Sequence, residues 1–272
     1  MSQFLVFTLY APLASWGDTA VGESRGSWDR PSRSAVLGLV AGALGVERDR
    51  QAELDGIEAG YGMAVRVDAV GMRLNDYHTT QTVAESDRKR AQRGRPALSR
   101  AALFAACPDR KTMLSTRVYL QDSCATVVLW ARRGAPVALG ALRNALQRPH
   151  FVPYAGRKSN VLGLPLDPSV VVAETLAAAL SARPVIPAGL PAPPSILRAA
   201  FEAEAWEVSH DDSCEADGVV SGLTPMRREA RRDRSVHRGR WQFGVRTMVT
   251  SLWVRPVAAE TSVDSISAAT PS

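Results

Sequence analysis

Lysine and cysteine are scarce in this chain of 272 residues. Only Lys89, Lys111 and Lys158 are lysines among the 33 basic residues, so arginine carries nearly all of the positive charge. The three cysteines are widely spaced and form no CxxC pair, which argues against a disulfide framework and favours a reducing, cytoplasmic setting. Four scattered histidines add no group of ligands, so the sequence predicts neither a metal site nor a cofactor.

Long apolar runs are also missing. The longest, residues 35–46, has twelve residues and three glycines, whereas a membrane-spanning helix needs about 20 apolar residues. The first residues lack the basic region and the cleavage site of a signal peptide. We therefore expect no membrane contact. The length and the 46% hydrophobic content allow one large domain or two modest ones.

The charge that is present is clustered. The chain has a net charge of +6, yet residues 84–117 and 225–246 each carry +6, and residues 201–217 carry −7. Two basic segments and one acidic segment indicate a face for a polyanion and a separate region that faces protein or solvent. The alternative is an ordinary solvated surface. Arginine favours the polyanion, because its planar fork binds phosphate and stacks on bases.

The hydrophobic pattern predicts an α+β fold. In chain order it gives a strand at 3–13, a helix capped by Ser32 and closed near Gly45, a strand at 61–74, two strands within 116–132, a helix at 136–147 and a strand pair near the C-terminus that includes residues 240–254. Residues 75–115 are mostly polar and lack core periodicity, which is typical of a functional insert or a disordered segment. The order strand–helix–strand–strand–helix fits a ferredoxin-like (RRM-type) core.

Several sequence blocks, taken in order, point to one family. They are Leu13-Ala-Ser-Trp16-Gly17, Gly26-Ser-Trp-Asp-Arg-Pro-Ser-Arg33-Ser34, the glycine-spaced residues 37–45, Asn75-Asp-Tyr77-His78-Thr79, Tyr154-Ala-Gly156-Arg157-Lys158-Ser159 and Arg231-Arg-Asp-Arg-Ser. Over roughly residues 3–255 they resemble the CRISPR-associated protein five (CasD) family of type I-E Cascade complexes, within the RAMP superfamily. The order of the blocks is more specific than any one of them.

The resemblance implies a fold and a function. It implies a ferredoxin-like core in residues 1–182 with an inserted basic thumb hairpin at about 79–115, a smaller β-rich element at 183–255, and a tail at 256–272 that we expect to be disordered. It implies a non-catalytic subunit that binds the 5′ handle of CRISPR RNA and supports assembly of the antiviral complex. The partners would be the Cascade backbone and large subunits, with target DNA reached only through the complex.

Candidate RNA-binding residues follow from the basic and aromatic positions in these blocks. Arg33 stands between two serines at a helix start, where backbone N–H groups and the helix dipole attract phosphate; the alternative is an ordinary helix cap. Trp16 either stacks on an unpaired base or anchors its loop to the core. The insert arginines form a thumb or, alternatively, a disordered basic loop. The complete set is Trp16, Arg25, Arg30, Arg33, Ser34, Tyr77, His78, Arg88, Arg90, Arg93, Arg95, Arg157, Lys158 and Arg240.

A catalytic alternative remains open. Some relatives cut precursor RNA without metal, using a Tyr–Lys–His group, and Tyr77 with His78 is the candidate here. No lysine adjoins His78, so we favour a contact role over a metal-independent endoribonuclease. A third hypothesis is a general RNA-binding module outside CRISPR, which would bind any single strand with similar affinity.

Overall fold

The computed structural model describes residues 1–17, 22–93, 99–190 and 195–256. Over these residues the strands are β1 (Ser2–Ala14), β2 (Trp16–Gly17), β3 (Ser24–Arg25), β4 (Ser27–Trp28), β5 (Tyr61–Ala69), β6 (Met72–Thr82), β7 (Lys111–Ala131), β8 (Ser169–Ala173), β9 (Ala205–Asp211), β10 (Thr224–His237) and β11 (Gln242–Val254). The helices are α1 (Arg33–Ala43), α2 (Gln51–Gly60), α3 (Glu85–Gln92), α4 (Arg100–Ala106), α5 (Leu139–Gln147), α6 (Leu176–Ser181) and α7 (Ser195–Phe201), with a 3₁₀ helix at Asp212–Asp217.

One large sheet organises these elements. Its main order is β10-β11-β9-β5-β7-β1-β8, with every neighbouring pair antiparallel. Outside this path, β6 pairs with β7 antiparallel and β3 pairs with β7 in parallel. The chain is therefore a mixed α/β protein with a large, mainly antiparallel sheet. No described helix is long and apolar enough to cross a membrane.

Strand β1 is buried on both faces of the sheet. Leu5, Phe7 and Leu9 join one core with α1 and α5, whereas Phe4 and Val6 join a second core with α6 and α7. Successive side chains of a strand point to opposite faces, so a continuous apolar run fits a strand that is covered on both sides. The predicted strand at 3–13 is confirmed at this position.

The helix predicted after Ser32 is confirmed as α1. The Ser32 hydroxyl caps it by accepting a hydrogen bond from the Ala35 N–H at 3.2 Å. The helix ends at Ala43, and Gly45 follows with a φ of +79°, a left-handed conformation that suits glycine. Val36, Leu37 and Val40 of this helix pack into the first core.

The middle of the chain differs from the predicted strands. Instead of one strand at 61–74, β5 ends at Ala69 and the chain turns at Gly71 into β6. Gly71 has a φ of +85°, and a Cβ atom there would lie 2.2 Å from the Gln121 carbonyl oxygen. Instead of two strands within 116–132, β7 runs for 21 residues through a positive φ at Asp122. These differences produce a long β6–β7 hairpin.

The β6–β7 hairpin begins before the predicted insert at about 79–115, and only its far end falls within that range. Met72 pairs with Gln121 at its base and Thr82 with Lys111 at its far end. Helices α3 and α4 lie beyond that end. The predicted site residue Arg95 and the predicted tail from residue 257 onward lie outside the described residues.

The C-terminal strands extend the same sheet. β10 and β11 form the hairpin that the sequence predicts near the C-terminus. β9 pairs with β11 on one side and with β5 on the other, so strands from 1–182 and from 183–255 belong to one sheet. The turn after His237 reaches α2, where the Gln51 side chain accepts from the Arg238 backbone N–H and donates to the Val236 carbonyl.

A buried ion pair ties this hairpin to α1. The Asp233 carboxylate on β10 accepts two hydrogen bonds from Arg246 on β11, at 2.7 and 3.0 Å. Its Oδ2 atom also accepts from the Arg33 backbone N–H at 2.9 Å, where the dipole of α1 favours a negative charge. Asp233 and Arg246 are both buried, and Asp233 is the nearest counter-charge of Arg246, with the Asp211 carboxylate 3.8 Å away as a second one.

Replacing Asp233 by Asn should lower the free energy of unfolding by about 3 kcal/mol, because the buried Arg246 guanidinium then loses its nearest counter-charge and keeps only the Asp211 carboxylate, 3.8 Å away. Urea denaturation followed by circular dichroism measures the loss. Glu53→Gln is the control, since the Arg50–Glu53 pair is exposed and should contribute little. Equal losses in the two variants would contradict the role given to Asp233.

Candidate nucleic-acid interface

The acidic segment 201–217 neutralises arginines of the same chain. Glu207 forms ion pairs with Arg30 at 2.5 Å and with Arg227 at 2.9 Å, and Glu215 pairs with Arg228 at 2.6 Å. The hydrogen bonds from Arg227 lower the pKa of Glu207. The basic segment 225–246 therefore presents less free positive charge than its sequence indicates.

Arg30 and Arg33 lie in the interior, contrary to the prediction that they hold phosphate. Arg30 is 3% exposed and bridges Asp29 and Glu207; its hydrogen bonds lower the pKa of Asp29. Arg33 is 4% exposed, pairs with Glu58 at 2.5 Å and donates to the carbonyl oxygens of Glu58 and Tyr61. Both guanidinium groups therefore stabilise the fold, because each one pairs with an acid from another element: Arg30 with Glu207 and Arg33 with Glu58.

Trp16 and Ser34 are buried as well. Trp16 is 3% exposed, and its strand β2 pairs with β4, so the geometry favours the anchoring alternative over base stacking. Trp28, its partner in that pairing, is covered by Arg231, whose Cζ atom lies 3.3 Å from the ring centroid. Burial lowers the pKa of Arg231. The Ser34 carbonyl accepts a hydrogen bond from Arg238.

Tyr77 and His78 point to opposite faces of the β6–β7 hairpin, since they are consecutive residues of one strand. Tyr77 is 64% exposed. His78 lies opposite Ser115, and its Nε2 atom is 2.5 Å from the Asp76 carboxylate, an ion pair when the imidazole is protonated. The two side chains therefore do not meet in one site.

One face of the hairpin gathers basic side chains, and we call it the basic face. The strand register places Lys111 and Arg117 on the same side of β7 as Tyr119, and it places His78 on that side of β6. Arg25 on β3 lies beside Arg117 in the parallel pairing and joins them. From Lys111 to Tyr119 this face extends about 27 Å along the strand. Its acidic member is Asp76, opposite Arg117.

The turn at residues 156–159 closes the base of this face. The Arg157 guanidinium stacks on Tyr119, with its Cζ atom 4.6 Å from the ring centroid. Gly156 has a φ of +80°, and a Cβ atom there would lie 1.9 Å from the Ser15 carbonyl oxygen, so the turn sits tightly against the end of β1. Lys158 is exposed next to it. The predicted pair Arg157–Lys158 thus adjoins the basic face.

The insert arginines lie at the far end of the hairpin. Arg88 is paired with Glu85 at 2.7 Å, and Arg90 lies 3.8 Å from Asp87, all within the exposed helix α3. Arg93 is exposed at the end of that helix. The exposed Arg240 lies in a different place, in the β10–β11 turn. Among the described residues, no group of three or more His, Cys, Asp or Glu could hold a metal ion.

The basic face includes residues that the sequence patterns did not single out as a site, namely Lys111, Arg117 and Tyr119. A signal existed, because the three alternate along one strand. Their meaning depends on the pairing partners in β3 and β6, which are far away in the sequence. Only the register shows that Arg25 and His78 lie on the same side.

Comparisons with known proteins give a consistent picture. The family model described as CRISPR-associated protein (Cas_Cas5) matches residues 4–249. The CRISPR system Cascade subunit CasD of Escherichia coli (strain K12) is 29% identical over 174 residues, which are 61% of this chain and 70% of that protein.

Two solved structures share the fold. One, described as a CRISPR RNA-guided surveillance complex, has a TM-score of 0.58 and 21% identity, covering 93% of this chain and 91% of that chain. Another, described as a crystal structure of Cas protein, has a TM-score of 0.51 and 22% identity, covering 93% and 95%.

Proposed function

The chain belongs to the CRISPR-associated Cas5 family, and we propose that it is a non-catalytic subunit of a type I-E Cascade surveillance complex. In this role it binds the 5′ handle of CRISPR RNA and supports assembly of the complex in antiviral defence. Its partners are the backbone and large subunits, it meets target DNA only through the complex, and it works in the cytoplasm. The E. coli relative is itself a Cascade subunit.

The basic face carries the RNA-binding part of the proposal. Arg25, Lys111 and Arg117 present cations along one side of a projecting hairpin. Most contacts between proteins and nucleic acids go to phosphates, which such side chains hold. Single-stranded RNA is also bound by stacking on aromatic rings and guanidinium planes, and the Arg157–Tyr119 stack supplies such a plane at the base.

The strand order supports a ferredoxin-like core for this subunit. The order β8-β1-β7-β5, with α1 between β1 and β5 and α5 between β7 and β8, is that expected of a split βαβ arrangement. We propose that the β6–β7 hairpin is its thumb and that residues 183–255 form a β-rich element joined to it through β9. The predicted division at residue 182 would then separate two parts of one sheet.

Replacing Arg25, Lys111 and Arg117 together by Ala should weaken handle binding and flatten its salt dependence. Each lost phosphate contact on a single strand reduces the slope of log K against log salt by about 0.7, so the triple variant should lose about 2. Fluorescence anisotropy with a labelled handle RNA at several salt concentrations measures the slope. A second variant with Arg88, Arg90 and Arg93 replaced by Ala tests the far end of the hairpin separately.

The matched control replaces three exposed arginines on other elements, Arg133, Arg143 and Arg198, and so removes the same charge. If the control weakens handle binding equally, the loss comes from the lower net charge of the chain and not from contacts on the basic face. Equal affinity for the handle and for a scrambled strand would favour a general RNA-binding module.

The alternative function, a metal-independent endoribonuclease, finds little support in the arrangement of candidate groups. Tyr77 lies on the opposite face from His78. Lys111 shares the face of His78 but is paired with Thr82, four residues further along β6, or about 13 Å away.

We expect the purified chain to leave CRISPR repeat RNA intact in EDTA, because no base, lysine and tyrosine meet at one point on the hairpin. Denaturing gel electrophoresis of labelled repeat RNA measures this. His78→Ala is the companion variant. Cleavage at one position that disappears in His78→Ala would establish the enzyme instead.

A further inference from the structure

A groove of about 660 Å³ lies between α1, the turn at 156–158 and the β10–β11 turn. This volume is in the range of small-molecule sites. One side of it is α1, where the Arg238 guanidinium packs on Gly38 and a Cβ atom at Gly42 would meet nothing within 4 Å. One wall is the segment from Phe151 to Lys158, and the facing wall carries Arg238 and Trp241.

Trp241 is exposed in a way that the other tryptophans are not. It is 60% exposed, whereas Trp16, Trp130, Trp206 and Trp253 are buried and Trp28 is covered by Arg231. Its φ of +53° is a left-handed conformation at the last residue of the β10–β11 turn. Arg48 lies over its ring, 4.7 Å from the centroid. This wall therefore presents an exposed aromatic ring, one face of which is covered by a cation.

Three cations converge on the groove. Arg48, Lys158 and Arg238 line it, against one acidic lining residue, Glu47. Arg238 is half-buried and donates to the Ser34 carbonyl, a neutral acceptor. Burial lowers the pKa of Arg238. The nearby Arg48 charge lowers it further, and the Glu58 charge acts in the opposite direction. An anion bound here would compensate a guanidinium that now lies beside another cation.

We propose that this groove binds one unpaired nucleotide of the guide RNA, with its base against Trp241 and its phosphate held by Arg48, Lys158 and Arg238. The inference rests on the proposed function and adds a second contact point to it. An aromatic plane with converging cations is the combination that single-stranded nucleic-acid sites use. Lys158 follows Arg157 directly, and Arg157 stacks on the basic face, so a strand leaving that face meets the groove next.

The test uses the emission of Trp241 in the purified full-length chain, titrated with adenosine 5′-monophosphate. Adenosine and inorganic phosphate are titrated separately, and we expect each to bind more weakly than the nucleotide. Trp241→Phe identifies the responding tryptophan. We expect saturable quenching by the nucleotide that is absent in Trp241→Phe.

Two variants address Arg238. Arg238→Gln removes the charge, and we expect roughly tenfold weaker nucleotide binding. Gly38→Ala places a Cβ atom 2.2 Å from the present position of the Arg238 guanidinium and should displace it, with a similar loss. The control is Gly140→Ala in α5, which meets nothing within 4 Å and raises helix propensity in the same way. Arg238→Gln keeps the test valid if Gly38→Ala folds poorly.

Absence of saturable quenching, or quenching that both variants leave unchanged, overturns the proposal. Shielding of Trp241 only on assembly with other subunits, with no nucleotide response, also overturns it in favour of a protein occupant. If handle RNA still binds the basic face in either of these cases, only the groove proposal is wrong and the proposed function is unaffected. If the nucleotide quenches Trp241 but the chain does not bind handle RNA, the proposed handle-binding function is wrong and the groove proposal stands.

Discussion

Internal charge compensation is the constraint on which this structure depends. The Asp233 carboxylate joins Arg246 to the first turn of α1, and Glu207 joins Arg30 to Arg227. Two of these contacts, Asp233 with Arg33 and Glu207 with Arg30, join residues that are 200 and 177 positions apart in the sequence. They hold the C-terminal hairpin against the start of α1, and they remove several arginines from the surface that a polyanion can reach.

What remains accessible is more localised than the composition indicates. Adjoining groups of cations lie on the basic face, on the turn beside it and around the groove under Trp241. The basic face and the groove meet at the neighbouring residues Arg157 and Lys158. These follow Gly156, whose positive φ and close approach to the Ser15 carbonyl oxygen leave no room for a side chain. These regions are therefore continuous with one another, whereas other exposed arginines, such as Arg133, Arg143 and Arg198, lie on separate elements.

The sequence predicted the regular elements better than the site. The strand at 3–13, the helix capped by Ser32 and the C-terminal strand pair have strong local patterns, and the structure has all three. The burial of Arg33 could not be predicted, because its partner Glu58 lies on another helix and only the tertiary fold brings them together. The basic face could not be predicted either, because it depends on the strand register that places Arg25 beside Arg117.

Hydroxyl-radical footprinting of the chain with and without handle RNA tests the central claim most directly. Met113 lies on the basic face and is 56% exposed, whereas Met226 lies on β10, among the paired arginines, and is 55% exposed. The two reporters therefore have the same chemistry and the same accessibility. RNA should protect Met113 from oxidation and leave Met226 unchanged. Protection of Met226 with Met113 unchanged would contradict the account.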